Sequence, residues 1–334
     1  MDKNKRPASQ EKFKTMIGGQ ALIEGIMMRG PEKDAVVVRT KDGLQTEVTN
    51  RKLPPSGSAL RWPLIRGVYN FFSSNIVGVK ALMRSADLSP EEGGEDEPSR
   101  FEAWLEKKLG NEKFQKALIY FAAILGIGFS VVLFFLLPMV LGSLFDQWVT
   151  SNVALNLIEG LFRILIFMAY MFLVSRMQEM KRLFSYHGAE HKTIRCYEAQ
   201  LPLTVENVRK QTRLHPRCGT SFLLVVMVLS ILVFSVASSL LLALAPGLAA
   251  MRGTFLYRFL MILYKLLLLP LVVSIGYEIN RWVGRHDNWF SRVLTAPGMW
   301  FQYFTTNEPD DSMIEVGIEA LKQVIPEKEG TDQW

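Results

Sequence analysis

Four long apolar blocks interrupt an otherwise polar and basic chain, and they constrain its fold more than any other feature. A helix that crosses the hydrocarbon layer of a bilayer needs about 20 mostly apolar residues. Residues 117–138 (ALIYFAAILGIGFSVVLFFLLP), 154–175, 220–245 and 254–279 each reach that length. No water satisfies backbone groups at that depth, so such runs are expected to be helical. Apolar residues are 49% of the 334, and their confinement to these blocks separates the chain from a soluble two-domain protein. The expected fold is therefore mainly α, a four-helix polytopic membrane protein.

Orientation follows from the basic residues. The 139–153 connection has no Lys or Arg, and 246–253 has one, Arg252. The 176–219 loop carries nine, and Lys107, Lys108, Lys113 and Lys116 precede the first block. Positive residues stay on the cytoplasmic side, so both termini and the central loop are expected there, in a cell membrane. The same logic accounts for the net charge of +6 through anionic lipid headgroups. No dense basic run interleaved with aromatics supports nucleic-acid binding, which is not expected. The start MDKNKRPASQEKFKT has no apolar signal-peptide core, and Cys196 and Cys218 share the cytoplasmic loop, where a disulfide is disfavoured.

The polar segments divide further. Residues 1–15 are expected to be disordered, and 16–85 to form a small β-rich unit followed by an amphipathic helix. AVVVRT (35–40) and LQTEVT (44–49) alternate like strands around Lys41-Asp42-Gly43, and before them GGQALIEGIMMRGP (18–31) is glycine-punctuated and unusually apolar for a loop. Trp62, Ile65, Tyr69, Phe72, Ile76, Val79 and Met83 step by three and four. That stripe suits a helix packed on the β unit or one lying on the inner leaflet. Residues 86–99 form an acidic linker, 100–280 the four-span domain, and 281–334 a cytoplasmic tail. In the tail, Ile314, Ile318, Leu321 and Ile325 mark a second amphipathic helix in need of an apolar partner.

Chemistry concentrates in the central loop. His187 and His191 are four apart and share a helical face, so both imidazoles can reach one ion. With Glu190 they form His-x-x-Glu-His, the inverted zincin spacing, in which the glutamate activates water. Three of the four histidines fall at 187, 191 and 215, and Cys218 follows the last. His187, His191, His215 and Cys218 together would close a tetrahedral zinc site. If His215 or Cys218 is not a ligand, a position stays open and Glu190 can act as base. Cys196 reads as a packed small residue. His286 reads as an interfacial hydrogen-bonding residue.

Four ionisable residues fall within the apolar blocks. Glu159 and Arg163 are spaced for an i, i+4 ion pair, while Arg258 and Lys265 share a face of the fourth block. One carboxylate cannot neutralise three cations, so an anion or headgroup pocket is an alternative to ion pairing and snorkelling.

Several segments together are similar to one family. GGQALIEGIMMRGP, YHGAEHKTI, HPRCGTSF and TAPGMWFQYFTTNEPDDSMIEVGIEAL resemble the DUF1385 membrane proteins over most of residues 16–325. The resemblance implies a metal site at His187, Glu190, His191, His215 and Cys218 and names no reaction. Three functions stay open. The four-ligand set favours a membrane factor that binds or regulates another membrane protein complex, with zinc as a staple. The alternatives are a zinc-dependent hydrolase at the membrane surface and a transporter of an anionic solute or lipid.

Overall fold

A computed structural model describes residues 13–89 and 121–333, apart from residues 123, 146, 150, 287 and 329. Two compact units result. One comprises the chain to Ser89, Met171–Leu229 and the segment from Leu269 onward; the other comprises Pro90–Tyr170 and Ser230–Leu268.

The first unit opens with an antiparallel meander of four strands in sequence order, β1 Gly18–Leu22, β2 Gly25–Arg29, β3 Lys33–Thr40 and β4 Gly43–Asn50. The β3–β4 hairpin follows the expected pairing, with Val37 opposite Thr46 and Gly43 at φ 122°. The apolar, glycine-punctuated stretch before it forms β1 and β2. Its lack of polar alternation has a simple cause. β2 is covered on both faces, so Gly25, Ile26, Met27 and Met28 are all buried.

The next helix, α1 (Ile65–Leu88), packs on one face of the sheet, where Ala81 joins Leu22 and Met27. Only small residues, Gly67, Gly78, Ala81 and Ser85, are buried along it. The large apolar stripe points the other way: Phe72, Ile76 and Val79 are each at least 55% exposed. The helix therefore packs on the sheet and still presents an apolar face. It continues to Leu88, into the expected linker, whose remaining residues 90–99 lie outside the described ones.

Two helices cover the other face of the sheet, α4 (Gln178–Glu198) and α10 (Asp311–Lys322). Ile26, Met28, Val37, Tyr186, Ala189, Ile194, Val316 and Leu321 form one core there. The tail helix thus finds its partner in the sheet and α4. Asp310 caps it, accepting a hydrogen bond from the Met313 N–H at 3.0 Å. Of the segment expected to be disordered, residues 13–15 are among the described ones. Thr15 is buried, pairs with Gln333, and donates from its hydroxyl to Asp332 at 2.6 Å.

Among the described residues, four helices are long and apolar enough to cross a membrane: α2 (Ile124–Ser143), α3 (spanning Val153–Val174), α6 (Gly219–Leu244) and α8 (Phe255–Arg285). Short helices α5 (Val205–Arg209) and α7 (Pro246–Ala250) lie in the connections, and α9 (Trp289–Thr305) follows α8. α9 was not anticipated in the tail. Its buried Gly298, Phe301, Gln302 and Thr305 lie on one side, with exposed Trp289, Trp300 and Tyr303 on the other.

Within the second unit, α2 widens into a π turn at Val132–Leu136, just ahead of Pro138. Proline brings no N–H for the carbonyl four residues earlier. That carbonyl, Phe134, instead accepts from Arg163 Nε at 2.9 Å. The guanidinium also lies over the rings of Phe135 and Phe234. Glu159 pairs with Lys265 rather than with Arg163 one turn along its own helix.

Candidate metal centre

α4 places His187, Glu190 and His191 on successive turns, with Cys218 reaching them from the turn before α6. The candidate ligand atoms of His187, His191 and Cys218 all lie within 4.8 Å of one another, and all three residues are buried. His187 Nε2 is 3.2 Å from Cys218 Sγ.

Backbone carbonyls orient both imidazoles. His187 Nδ1 donates to Thr305 O at 2.8 Å, and His191 Nδ1 to Arg213 O at 2.5 Å. These bonds put a proton on each Nδ1, so Nε2 is the nitrogen that faces inward. His191 Nε2 is buried and has no hydrogen-bond partner among the described residues. Buried polar atoms are rarely left unpaired, and a nitrogen that serves as a metal ligand is one of the few exceptions.

The electrostatics favour the ligand form of the thiol. Burial alone would raise the Cys218 pKa, but the His187 and His191 imidazoles override it and hold the thiol well below its ordinary range. The thiolate is the form that binds metal.

Glu190 stands beside the cluster, its Oε2 3.8 Å from His187 Nε2. Burial pushes its carboxyl above the usual range, against the neighbouring imidazoles and the Gly19 N–H that donates to it. Gly19 matters sterically as well. A Cβ there would lie 2.8 Å from Glu190 Cγ and 2.7 Å from the Met27 carbonyl oxygen. The sheet edge and the carboxylate can meet only because this residue has no side chain.

His215 does not join the cluster. Its Nε2 lies 3.3 Å from Glu198 Oε2, and Glu198 also holds Arg217. Burial drives the His215 pKa down to about 4, so the ring is neutral at pH 7. The expected four-ligand set is thus brought together at three positions. Cys196, as expected, is packed in a side core with Val208, Ile314 and Ile318. His286 bonds Trp282 O at 2.8 Å and stacks on its ring.

The loop that carries His215 and Cys218 is clamped by Gln302 of α9. Its Oε1 accepts from the His215 N–H, and its Nε2 donates to the His215 carbonyl, each at 2.7 Å, and to Ser221 Oγ at 2.8 Å. Gln302 and Thr305 went unnoticed in the sequence because α9 itself did.

His187, Glu190, His191, Cys218 and the Gln302 clamp all fall within residues 62–327. Over that range the chain matches the sequence profile described as "Protein of unknown function (DUF1385)". The chain belongs to the DUF1385 family. It is 32% identical over 320 residues to the Bacillus subtilis (strain 168) protein named "Uncharacterized protein YqhQ", covering 95% of this chain and 94% of that one. No solved structure matches the chain. For this DUF1385 protein, argument about function therefore rests on the site.

Proposed function

We propose that the cluster is a zinc-class metal centre with three protein ligands and that the protein is a metal-dependent hydrolase at the cytoplasmic membrane surface. The observation that carries this reading is the convergence, among the described residues, of three donors and not four. Zinc in structural sites is closed by four protein ligands, whereas catalytic sites keep one position for a reactant. With His215 engaged by Glu198, the reason to favour a staple weakens.

Two imidazoles and one thiolate are donors suited to zinc. His187 Nε2, His191 Nε2 and Cys218 Sγ would hold the ion. When bound, it would supply Lewis acidity toward a carbonyl or phosphoryl group and toward water. The remaining roles belong to the chain. Thr305 O and Arg213 O fix the imidazole tautomers. Glu190, held by the Gly19 N–H, is placed to take and return a proton. The basic central loop places this site on the cytoplasmic side under the positive-inside rule.

A second reading has one observation in its favour. All three ligands are buried, which suits a staple within a membrane factor that regulates another complex. Glu190→Gln separates the two. In the hydrolase it retains the metal and abolishes complementation of a deletion strain; full complementation by a metal-replete Glu190→Gln protein would establish the staple.

A further inference from the structure

The second unit holds a cavity of about 350 Å³ at the end of the spans where α2 joins α3 and α6 joins α8. That volume is at the lower end of the roughly 300–1,000 Å³ usual for small-molecule sites. Its lining includes Arg258 and Lys265 and, among the described residues, one carboxylate, Glu159. Glu159 is committed to Lys265. Arg258 makes no ion pair among the described residues, so positive charge is left over.

A second, independent observation points the same way. Ser238 lines the cavity, is 1% exposed, and its Oγ has no hydrogen-bond partner among the described residues. A buried hydroxyl left unpaired is costly unless something completes it. Its neighbours Ser235 and Ser239 each donate to a carbonyl one turn back in the same helix; Ser238 does not.

We propose that this cavity binds a phosphate-class oxyanion, borne by a lipid headgroup or free in solution. Arginine's planar fork matches two oxygens of such a group, and the Ser238 hydroxyl supplies a further donor from the buried side. The Glu159–Lys265 pair keeps an ammonium at the cavity wall without leaving it as a bare charge at membrane depth. Gly142 permits this, because a Cβ there would lie 2.7 Å from Glu159 Cγ. The site is separate from the metal centre and stands or falls without it.

The test uses the full chain in phosphatidylcholine nanodiscs. Inorganic phosphate binding is measured by equilibrium dialysis. Retention of phosphatidylglycerol over phosphatidylcholine is measured by native mass spectrometry. Binding of either probe is expected: phosphate alone marks a free anion, phosphatidylglycerol alone a headgroup, and both a site open to each. Arg258→Gln and Ser238→Val should each weaken binding about tenfold or more, the loss of one charge-assisted or buried donor. Arg176→Gln, whose guanidinium lies over Phe172, should leave binding unchanged. If Arg258→Gln fails to fold, Ser238→Val carries the test, with a wild-type unfolding temperature in detergent as the folding control. Binding of neither probe, or undiminished binding in the folded variants, overturns the proposal.

Discussion

The Nδ1 of His187 lies 2.8 Å from the carbonyl oxygen of Thr305, and that contact decides which nitrogen faces Cys218. It exists because the chain after α9 crosses α4 at Gly188. The Asn307 N–H donates to Phe184 O at 2.8 Å, and a Cβ on Gly188 would lie 2.0 Å from Asn307 O. Backbone meets backbone there, so neither side can yield by turning a side chain. Gly188→Ala should cost about 1–3 kcal/mol. By displacing the group that orients His187, it should also weaken metal affinity about 10–100-fold. Thermal unfolding in detergent and metal titration check both; wild-type values in each would show that the crossing does not position the histidine.

Metal content distinguishes three ligands from four. About one zinc per chain is expected in the purified wild type, and none in His191→Ala, which removes both a donor and the geometry around it. His215→Gln should retain the metal, since that ring is engaged by Glu198. Equal loss from both variants would restore the four-ligand site.

The spans, the β3–β4 hairpin and the His-x-x-Glu-His face were legible because each is a local pattern whose period reports its environment. What was not legible depends on contacts between distant segments. Gly25–Arg29 lacks alternation because both of its faces are covered, which only the later α1, α4 and α10 bring about. Glu159 was spaced for Arg163, yet Lys265 is its partner, from a helix about a hundred residues on. His215 has the right side chain in the right loop, and only Glu198 and Arg217 reveal that its nitrogen is taken.

The stripe on α1 predicts a lipid contact. Its small residues pack on the sheet while Phe72, Ile76 and Val79 face outward. The start of the helix is tied to α8, where Gly67 meets Ser274 and Arg66 pairs with Glu278. An exposed apolar face joined to a spanning helix suits the headgroup boundary. A photocrosslinking residue at position 76 should therefore capture phospholipid, and one at Asp42 of the hairpin should not. Capture of protein alone at 76 would assign that face to a partner chain.

Membrane orientation is open to direct labelling. Cysteines introduced near residue 148 should react with an impermeant reagent in intact cells, and those near 200 should not, because positive residues remain cytoplasmic. Labelling at 200 would invert the topology and move the metal centre outside.

Acid should destabilise the protein through His215. Unfolded, this imidazole takes up a proton near its ordinary value of 6.5; folded, burial holds it neutral to about pH 4. Between those values the unfolded chain binds more protons, so stability falls as pH falls, by up to about 1.4 kcal/mol per unit. Glu198 adds to the effect from its ordinary value of 4.5 downward. Burial would raise its carboxyl, yet the His215 contact and Arg217 hold it below its ordinary range. Its contribution is present above the unfolded value and lost as pH falls through the folded one. His215→Gln removes the imidazole and leaves His187, His191 and Cys218 in place. Its unfolding temperature should consequently fall less steeply than wild type's from pH 6.5 to 4. Parallel curves for the two proteins would mean that His215 is already protonated in the fold and that Glu198 holds it as an ion pair.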